Sequence, residues 1–553
     1  MSTDATQGPR RFVVAPPATA PEHIAGGNGS AHGHRHLFHG RVLPAGVWRD
    51  PSEADMVRST VAAGASAVAL IVMVLSSLLL VSVASPGTLV PVGRPGAFPS
   101  WLAGPTGALT SWLNASAHTQ RVLLTATVGA MLVAYVVVAL SAPRLRVAWV
   151  LAAVLALHVI FLLSPPLTLT DVFNYLNYGR MEAVHHLNPY TTIPALEPHS
   201  DPTFALSNWH GLLSPYGPLF TLFTMALVPL GVAGSFWAMK SALMLASLGT
   251  VFLVYRSADL LGRNPLRAAV IVGINPIVLV WGLGGDHNDF LMIFCLALAF
   301  WLLLRADSMR VGRYARPSPA GQRGPIAALR RGWAWLDGMP RPLVAGEPAA
   351  WMEVGAGIAL VAAVAIKASA AVLLPVVLAG AARRTRVALG LLIGAVAAAA
   401  LTINAFGLNL PNISQQSHLV VPDGIPNLIG LALGFGGATS EMRHVLNVGL
   451  VVVVVAATIW AWRTRRLLTP SGWVMVALIV TLGWTLPWYI VWVLPFAALA
   501  RSRSLRIAAA VITIYMYMTF MPYSSEILAF LHVNPAQTTL GQQETSYMQS
   551  LLF

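Results

Sequence analysis

The sequence predicts an all-α polytopic membrane protein with about 13 transmembrane helices. Of its 553 residues, 56% are hydrophobic and only 10% are charged. The mean hydropathy of +0.69 is far above that of a soluble globular domain. Apolar runs recur along the chain at close to the length of a bilayer span, and basic residues cluster in the short gaps between them. These patterns place most of the chain in a membrane.

Each predicted span is an apolar run near the length that crosses a bilayer, or slightly shorter. Several runs fall below the roughly 17 residues of a full span, and we expect them to be kinked pairs or segments shielded by protein. Two such pairs surround Lys367 and Pro487. The predicted spans are residues 61–83, 121–140, 147–164, 236–256, 267–284, 289–304, 354–366, 368–380, 386–404, 444–461, 472–484, 486–499 and 505–522.

The basic residues orient the spans. Cytoplasmic loops carry an excess of Lys and Arg, so we place every basic gap inside, which gives a cytoplasmic N-terminus and an extracytoplasmic C-terminus in the plasma membrane. The run at 218–230 cannot then be a full span, because it would turn the gap at 256–267 outward. We interpret residues 214–231 as an interfacial helix on the outer surface. The basic groups are Arg144 and Arg146; Arg256, Arg263 and Arg267; residues 305–350; Arg383, Arg384 and Arg386; Arg463, Arg465 and Arg466; and Arg501, Arg503 and Arg506.

Three regions follow from this pattern. Residues 1–56 lack apolar periodicity and are predicted to be a disordered cytoplasmic tail, although clustered histidines leave a metal site open as an alternative. Residues 57–523 form the membrane domain, with a basic cytoplasmic loop inserted at 305–352, and residues 524–553 form an extracytoplasmic tail. The formal net charge of +14 reflects topology, so we expect no nucleic-acid binding. The single cysteine, Cys295, excludes an internal disulfide.

Ionisable and aromatic residues concentrate at the outer ends of the predicted spans. The segment from Asp171 to Tyr190 follows an apolar run and a Ser-Pro-Pro break, a position where polar groups are expensive and indicate function. The GGDHND motif at 284–289, Lys367, the loop 405–443 and the segment 484–489 are predicted to lie on the same side. We therefore expect an active site assembled from several outer loops.

Such a site suits transfer from a lipid-linked donor. The sequence contains no P-loop, no Gly-x-Gly-x-x-Gly after a strand, no HExxH helix and no Gly-x-Ser-x-Gly elbow. A donor carried on a lipid phosphate needs a carboxylate to deprotonate an acceptor hydroxyl and a cation to receive the departing phosphate. Tyr, Trp and Asn side chains suit a sugar ring through stacking and hydrogen bonding. The outer loops contain all three components.

The order of the outer motifs also resembles that of a known family. The elements, spread over roughly residues 151–523, are Asp171, Tyr175, Gly179–Arg180, Asn188–Pro189–Tyr190, Ser214–Pro218, Asn275–Pro276 and Gly285–Asp289. They resemble the polyprenol-phosphomannose-dependent α-1,6-mannosyltransferases of actinobacteria, which are GT-C glycosyltransferases. The resemblance implies a GT-C-type bundle with extracytoplasmic juxtamembrane helices. It further implies inverting transfer of mannose from a polyprenyl-phosphate-mannose donor to a lipid-linked mannan acceptor, forming α-1,6 linkages. We expect a monomer in contact with membrane lipids.

The resemblance assigns Asp171 as the catalytic base, because it matches the acidic residue of the first outer loop. An Asp there also suits the cap of a helix starting at Val172. Lys367 is the candidate phosphate ligand, with snorkelling to the interface as the alternative. Arg180 is its rival, because a guanidinium binds phosphate through two hydrogen bonds. The residues predicted to bind substrate are Tyr175, Arg180, His185, Asn188, Tyr190, Tyr216, His287, Asn288, Asp289, Lys367, His418 and Trp488.

The GGDHND motif admits several interpretations. Asp286 and Asp289 lie three residues apart and could hold a divalent metal through oxygen ligands. Equally, Asp286 could cap the following helix while Asp289 complements its dipole. We favour substrate binding by His287, Asn288 and Asp289, and we expect no metal or other cofactor.

Other classes of protein share some of these features. A lipid or sugar flippase would have many spans and an outer vestibule, but it should show charges along a path and often an internal repeat. A non-catalytic scaffold would not need a carboxylate, a cation and aromatic residues in separate loops that meet on one side. A GT-C transferase of arabinofuranose or glucose is the closest alternative, because the sequence separates these sugars poorly.

Overall fold

A computed structural model describes residues 53–84, 98–106, 116–168, 170–314 and 348–552, all within one compact unit, Trp48–Phe553. Most of the predicted tail, residues 1–52, and most of the basic loop, residues 315–347, lie outside the described residues. Over the described ranges, helices are the only repeating secondary structure. The all-α fold class is therefore confirmed. The first helix begins at Glu53, so the last residues of the region assigned to the tail are helical.

The described α-helices are numbered in chain order. They are α1 Glu53–Val83, α2 Ala117–Ser141, α3 Val147–Leu163, α4 Thr170–His185, α5 Pro218–Leu227, α6 Gly231–Leu260, α7 Pro265–Gly273, α8 Asp289–Tyr314, α9 Pro348–Ile366, α10 Leu374–Gly380, α11 Arg384–Phe406, α12 Ser414–Ser417, α13 Ile425–Ala432, α14 Ser440–Thr464, α15 Leu468–Thr481, α16 Leu494–Leu499, α17 Arg503–Thr519, α18 Ser524–Phe530 and α19 Thr539–Leu552. Short 3-10 segments precede α10 and α16, at Ala368–Leu373 and Pro487–Trp492.

Within the described residues, 7 helices are long and apolar enough to cross a membrane, or 8 if the bent pair α17 and α18 is one span. Shorter apolar helices lie at Val147–Leu163, Ala368–Gly380, Leu468–Thr481 and Pro487–Leu499. Every predicted span overlaps a helix, which confirms a polytopic membrane protein. The total of about 13 is not confirmed, because three of these four shorter helices fall below the roughly 17 residues of a full span and the fourth, Val147–Leu163, only just reaches it.

The segment predicted to lie along the outer surface is a helix of its own. Taken together, Pro218–Leu260 are long and apolar enough to span a membrane. The Ser235 hydroxyl, however, donates to the Leu227 carbonyl at 2.7 Å, whereas residues eight apart in a straight helix are separated by about 12 Å. The chain therefore turns sharply between α5 and α6, at Gly231, which has a positive φ of 70°. Helix α5 packs on α4, where Gly179 allows Thr224 to approach.

Ionisable clusters lie at both ends of the bundle. Asp289 opens α8 and pairs with Lys367, which follows α9. Arg310, near the other end of α8, pairs with Glu353 in the first turns of α9. Glu353 also lies 3.4 Å from Arg386 at the start of α11. Because Asp289 and Arg310 are about 31 Å apart along a helix, the two clusters are separated by about the thickness of a bilayer core.

Candidate active site

The GGDHND motif forms a tight loop between a π-helical turn, Val278–Leu283, and α8. The loop packs against the segment that follows α3, where the Leu167 N–H donates to the Gly284 carbonyl at 2.6 Å. A Cβ on Gly285 would clash with the Thr168 hydroxyl and would lie 2.5 Å from His287 Nε2. Glycine is therefore required at 285 for the His287 ring to occupy its position.

Asp171 and His287 meet at the start of α4. Asp171 Oδ2 lies 3.0 Å from His287 Nδ1, at an angle outside that of a good hydrogen bond. The fully buried His287 ring stacks on Trp488, with centroids 3.4 Å apart and planes 10° apart. The Tyr175 hydroxyl lies 3.5 Å from the same Asp171 oxygen. The Asp171 side chain keeps 18% of its surface exposed, so it is available to a substrate.

Lys367 is held by Asp289 and by two aromatic rings. Its ammonium donates to both Asp289 oxygens, at 3.0 and 2.8 Å. It also lies 4.9 Å from the centroid of the Tyr489 ring and 5.5 Å from that of Trp492. The Trp492 indole N–H donates to Asp289 Oδ1 at 2.6 Å. An ammonium has three N–H donors, and Asp289 uses two of them. The group can therefore bind an anion while it remains paired.

A second lysine, which is buried, supports the same loop. Lys240, on α6, lies 3.5 Å from Asp286 Oδ1 and donates to the Ser164 carbonyl at 3.0 Å. Asp286 has a positive φ of 59°, an uncommon conformation for a residue other than glycine. Burial raises the pKa of the Asp286 carboxyl from 3.8 to about 6, and the nearby Lys240 opposes this rise. The pair anchors the loop beside the segment that leads to Asp171.

Asp171 and Lys367 line one pocket, together with aromatic and apolar side chains. The cavity has a volume of about 20 Å³, little more than a water molecule needs. The pocket is therefore almost closed in this conformation. Its lining residues are Asp171, Trp209, Leu212, Tyr216, Lys367, Gln416, Leu419, Trp484, Leu486 and Tyr489.

Among the predicted binding residues, Arg180 and His185 lie on α4 away from this pocket. Arg180 makes a bidentate ion pair with Asp201, and His185 Nε2 lies 2.8 Å from the same carboxylate. Burial alone would raise the pKa of the Asp201 carboxyl, but hydrogen bonds from Arg180, Thr203 and His185 lower it below its ordinary value. Arg180 lies nine residues beyond Asp171, about 13 Å along the helix. Phosphate binding by Arg180 would have to compete with Asp201.

Asn188 and Tyr190 hold the outer loop in place. Asn188 donates to the Phe406 carbonyl at 2.8 Å and accepts from the Tyr190 N–H. The Tyr190 hydroxyl lies 2.9 Å from the Thr221 hydroxyl and donates to the Tyr216 carbonyl. Tyr216 reaches the pocket, where its ring packs edge-on against Tyr175 at 4.8 Å. Both predicted residues thus support the wall that presents Tyr216.

Two further predicted residues have different surroundings. Asn288 is fully buried, and within the described parts of the chain neither polar atom of its amide has a hydrogen-bond partner. His418 is exposed and lies beside Tyr547 of α19, with ring centroids 6.2 Å apart. Neither side chain lines the pocket around Asp171 in this closed conformation.

The positions of the Asp286 and Asp289 carboxylates bear on the alternative that the two residues hold a divalent metal. The two carboxylates contact different lysines, Lys240 and Lys367. Over the described residues, no group of three or more His, Cys, Asp or Glu side chains is arranged to hold a metal ion. Each carboxylate instead balances the charge of its own lysine.

The sequence interpretation missed Lys240 and Trp492. Lys240 is a lone charge within a predicted span, and the rule that singled out Lys367, the high cost of a charge inside a membrane, applies to it equally. Trp492 gives no comparable signal, because an indole within an apolar run is ordinary until its N–H is found on a carboxylate.

A carboxylate, an ammonium and aromatic walls in one pocket, at one end of an apolar helical bundle, are the features expected of a membrane glycosyltransferase. Residues 78–383 match the family model described as alpha-(1->6)-mannopyranosyltransferase, N-terminal domain, and residues 424–539 match the MptB C-terminal domain. Because the first match alone covers more than half of the chain, the chain belongs to this family, and it is a mannosyltransferase.

Two relatives are similar over part of their length. Alpha-(1->6)-mannopyranosyltransferase A of Mycobacterium tuberculosis is 28% identical over 389 residues, which cover 67% of this chain and 69% of that protein. The protein of the same name from Corynebacterium glutamicum is 29% identical over 157 residues, which cover 27% of this chain and 31% of that protein. No solved structure matches the chain.

Proposed function

We propose that this enzyme transfers mannose from a polyprenyl-phosphate-mannose donor to a lipid-linked mannan acceptor, forming α-1,6 linkages at the outer face of the plasma membrane. The observation that carries the proposal is the presence of Asp171, backed by His287, and of Lys367 in the walls of one pocket. Inverting transfer from a glycosyl phosphate needs a base and a phosphate-binding cation on opposite sides of the anomeric carbon.

In the proposed reaction, the acceptor hydroxyl attacks the anomeric carbon as Asp171 takes its proton. The new glycosidic C–O bond forms while the bond from the anomeric carbon to the phosphate oxygen breaks. Polyprenyl phosphate leaves with the electron pair of that bond, and Lys367 stabilises the developing negative charge. His287, stacked on Trp488, holds the Asp171 carboxylate in place.

The outer-face location is supported by charge distribution. The pocket lies at one end of α8, about 31 Å along the helix from the cluster at its other end, where Arg310 and Arg386, from two of the basic groups, meet Glu353. Since cytoplasmic loops carry the excess of Lys and Arg, this distribution supports a pocket that faces outward. A lipid-carried donor suits this side, because it reaches the pocket from within the membrane.

Mannose is favoured over arabinofuranose and glucose because the matched family model and both relatives are described as mannopyranosyltransferases. Assaying the purified protein with each polyprenyl-phosphate sugar tests this preference. Equal or faster transfer of arabinofuranose or glucose would contradict it.

The decisive test of the mechanism is Asp171→Asn. Asparagine keeps the size of aspartate but cannot accept the proton. The variant should still bind the polyprenyl-phosphate sugar, while transfer falls at least about a hundredfold, as expected when a general base is lost. Glu182→Gln, on the same helix, is the matched control and should transfer normally. If Asp171→Asn keeps the wild-type rate, its role is structural, and the base must be sought at Glu182 or Asp289.

A further inference from the structure

The C-terminal helix α19, Thr539–Leu552, packs on the outer loops. Its Leu551 carbonyl accepts from the Gly211 N–H at 2.9 Å, and its Tyr547 hydroxyl donates to the Gln415 carbonyl at 3.0 Å. Glu544 lies 3.6 Å from Arg443. The helix therefore bridges the loop before α5 and the loop after α11, two of the segments that surround the pocket.

The residues beneath α19 are also the walls of the pocket. Trp209, Leu212 and Leu419 form a small apolar cluster with Leu551, and Trp484 packs against it. All four of these partners of Leu551 line the cavity that contains Asp171 and Lys367. Tyr547, Met548 and Leu552 complete the face that α19 applies to this cluster. The helix thus lies directly behind one wall of the pocket.

The attachment of α19 is confined to one stripe of the helix. Its apolar residues recur at the spacing of a single helical face, while Gln542, Gln543 and Gln549 on other faces are exposed. A helix of this length is marginal on its own, so its position depends on the few contacts it makes. The family models match residues 78–383 and 424–539, so nearly all of α19 lies beyond the matched segments.

We propose that α19 is a cover that closes the acceptor side of the pocket and thereby selects acceptors. This inference rests on the proposed function, since it concerns the sugar acceptor of that same site. The closed cavity of about 20 Å³ has no room for a hexose unit, so the walls formed by Trp209 and Trp484 must separate before an acceptor hydroxyl reaches Asp171. Displacement of α19 permits this separation. Only acceptors that bind strongly enough to stabilise the open form are used efficiently, because the closed population lowers apparent affinity.

The cover can be tested without transfer, by measuring access to the pocket. Gln416→Cys places a thiol in the pocket wall, in a Cys295→Ser background that removes the native thiol. Leu551→Asp puts a charge into the apolar cluster and should displace α19. Labelling of residue 416 by a bulky maleimide should then accelerate about tenfold or more, because access follows the open population. Gln549→Asp adds the same charge on the exposed face and should leave the labelling rate unchanged.

Equal labelling rates in the Leu551→Asp and Gln549→Asp proteins would overturn the cover. Tyr547→Phe is a milder variant that removes only the hydrogen bond to Gln415. It should also accelerate labelling of residue 416, by a smaller factor. Because this mild substitution is not expected to unfold the protein, an acceleration cannot be attributed to misfolding.

The effect on acceptor selection is tested by measuring KM and kcat with a synthetic acceptor, octyl α-1,6-mannobioside. Leu551→Asp should lower KM for this short acceptor with little change in kcat, whereas KM for the polyprenyl-phosphate-mannose donor stays constant. An unchanged or higher acceptor KM would overturn the selective role. If labelling accelerates as expected but neither wild-type nor variant protein transfers mannose, the proposed function fails while the cover stands.

Discussion

The ion pair between Lys367 and Asp289 allows a structural and a catalytic role to be separated. Lys367→Met keeps the length of the side chain but leaves the Asp289 carboxylate, only 1% exposed, without its ammonium partner. Removing one member of a buried pair costs about 3–5 kcal/mol. Because the Lys367 side chain is 18% exposed, we expect a loss of stability near the lower figure, about 3 kcal/mol.

The double variant Lys367→Met/Asp289→Asn removes both charges. Replacing a buried pair by neutral groups is often close to neutral for stability, and an amide at 289 still accepts from the Trp492 indole. Most of the lost stability should therefore return. Transfer should not return, because the phosphate still lacks its cation; we expect a deficit of about 10²–10³-fold, typical of losing one electrostatic contact to the transition state.

Two measurements in detergent micelles decide the outcome: thermal unfolding, and mannose transfer to an added acceptor. Wild-type transfer by the double variant would refute the phosphate role of Lys367 and return it to Arg180. Wild-type stability of Lys367→Met would refute the energetic reasoning on Asp289. Lys240→Met/Asp286→Asn is the matched control, and its transfer should fall less because Lys240 does not line the pocket.

Two further predictions concern the outer loop and the motif glycine. Burial raises the pKa of the Glu197 carboxyl from 4.5 to about 7, with a contact to Asn177 opposing the rise. The folded state then binds more protons than the unfolded state between these values, so stability falls as pH rises through this window. In Glu197→Gln, the free energy of unfolding, measured with denaturant from pH 4.5 to 8, should fall less steeply with pH than in the wild type. An unchanged slope would contradict this. Gly285→Ala should reduce kcat, because the added methyl group displaces His287. Gly355→Ala is the control and should transfer mannose normally, because its Cβ would meet Leu302 at an ordinary 3.4 Å. A normal kcat in Gly285→Ala would show that the loop tolerates the methyl group.

The sequence predicted that the candidate site residues gather at one end of the bundle but not how they pair. Asp171, Lys367 and Tyr216 were identified from the sequence, and all three line one pocket in the structure. The ion pair of Arg180 with Asp201 was not predictable, because it depends on how the loop after α4 folds back over 16 to 21 residues. Sequence spacing carries no information on such a contact.

The number of spans was also beyond the sequence. The runs at 368–380 and 486–499 are apolar throughout, yet each begins as a 3-10 segment and continues as a short α-helix. Hydropathy measures the preference of a segment for an apolar environment, and a protein interior supplies that environment as well as lipid does. Nearly every residue of Pro487–Leu499 is buried, including Trp488, Tyr489 and Trp492, and Ala368–Gly380 is buried in part. Packing, rather than length, accounts for their composition.

The geometry of the GGDHND loop follows from its two lysine partners. Asp286 and Asp289 could have faced the same way had both been helical, but Asp286 adopts a positive φ and α8 begins only at Asp289. The carboxylates therefore diverge, one to Lys240 on α6 and the other to Lys367 after α9. Both ends of the short DHND segment are thereby fixed, and His287 is held between them against Asp171. Removing one member of either pair leaves its partner's charge unpaired and should also disturb the position of His287, which is why the paired neutral variants, rather than single substitutions, report on the chemistry of the site.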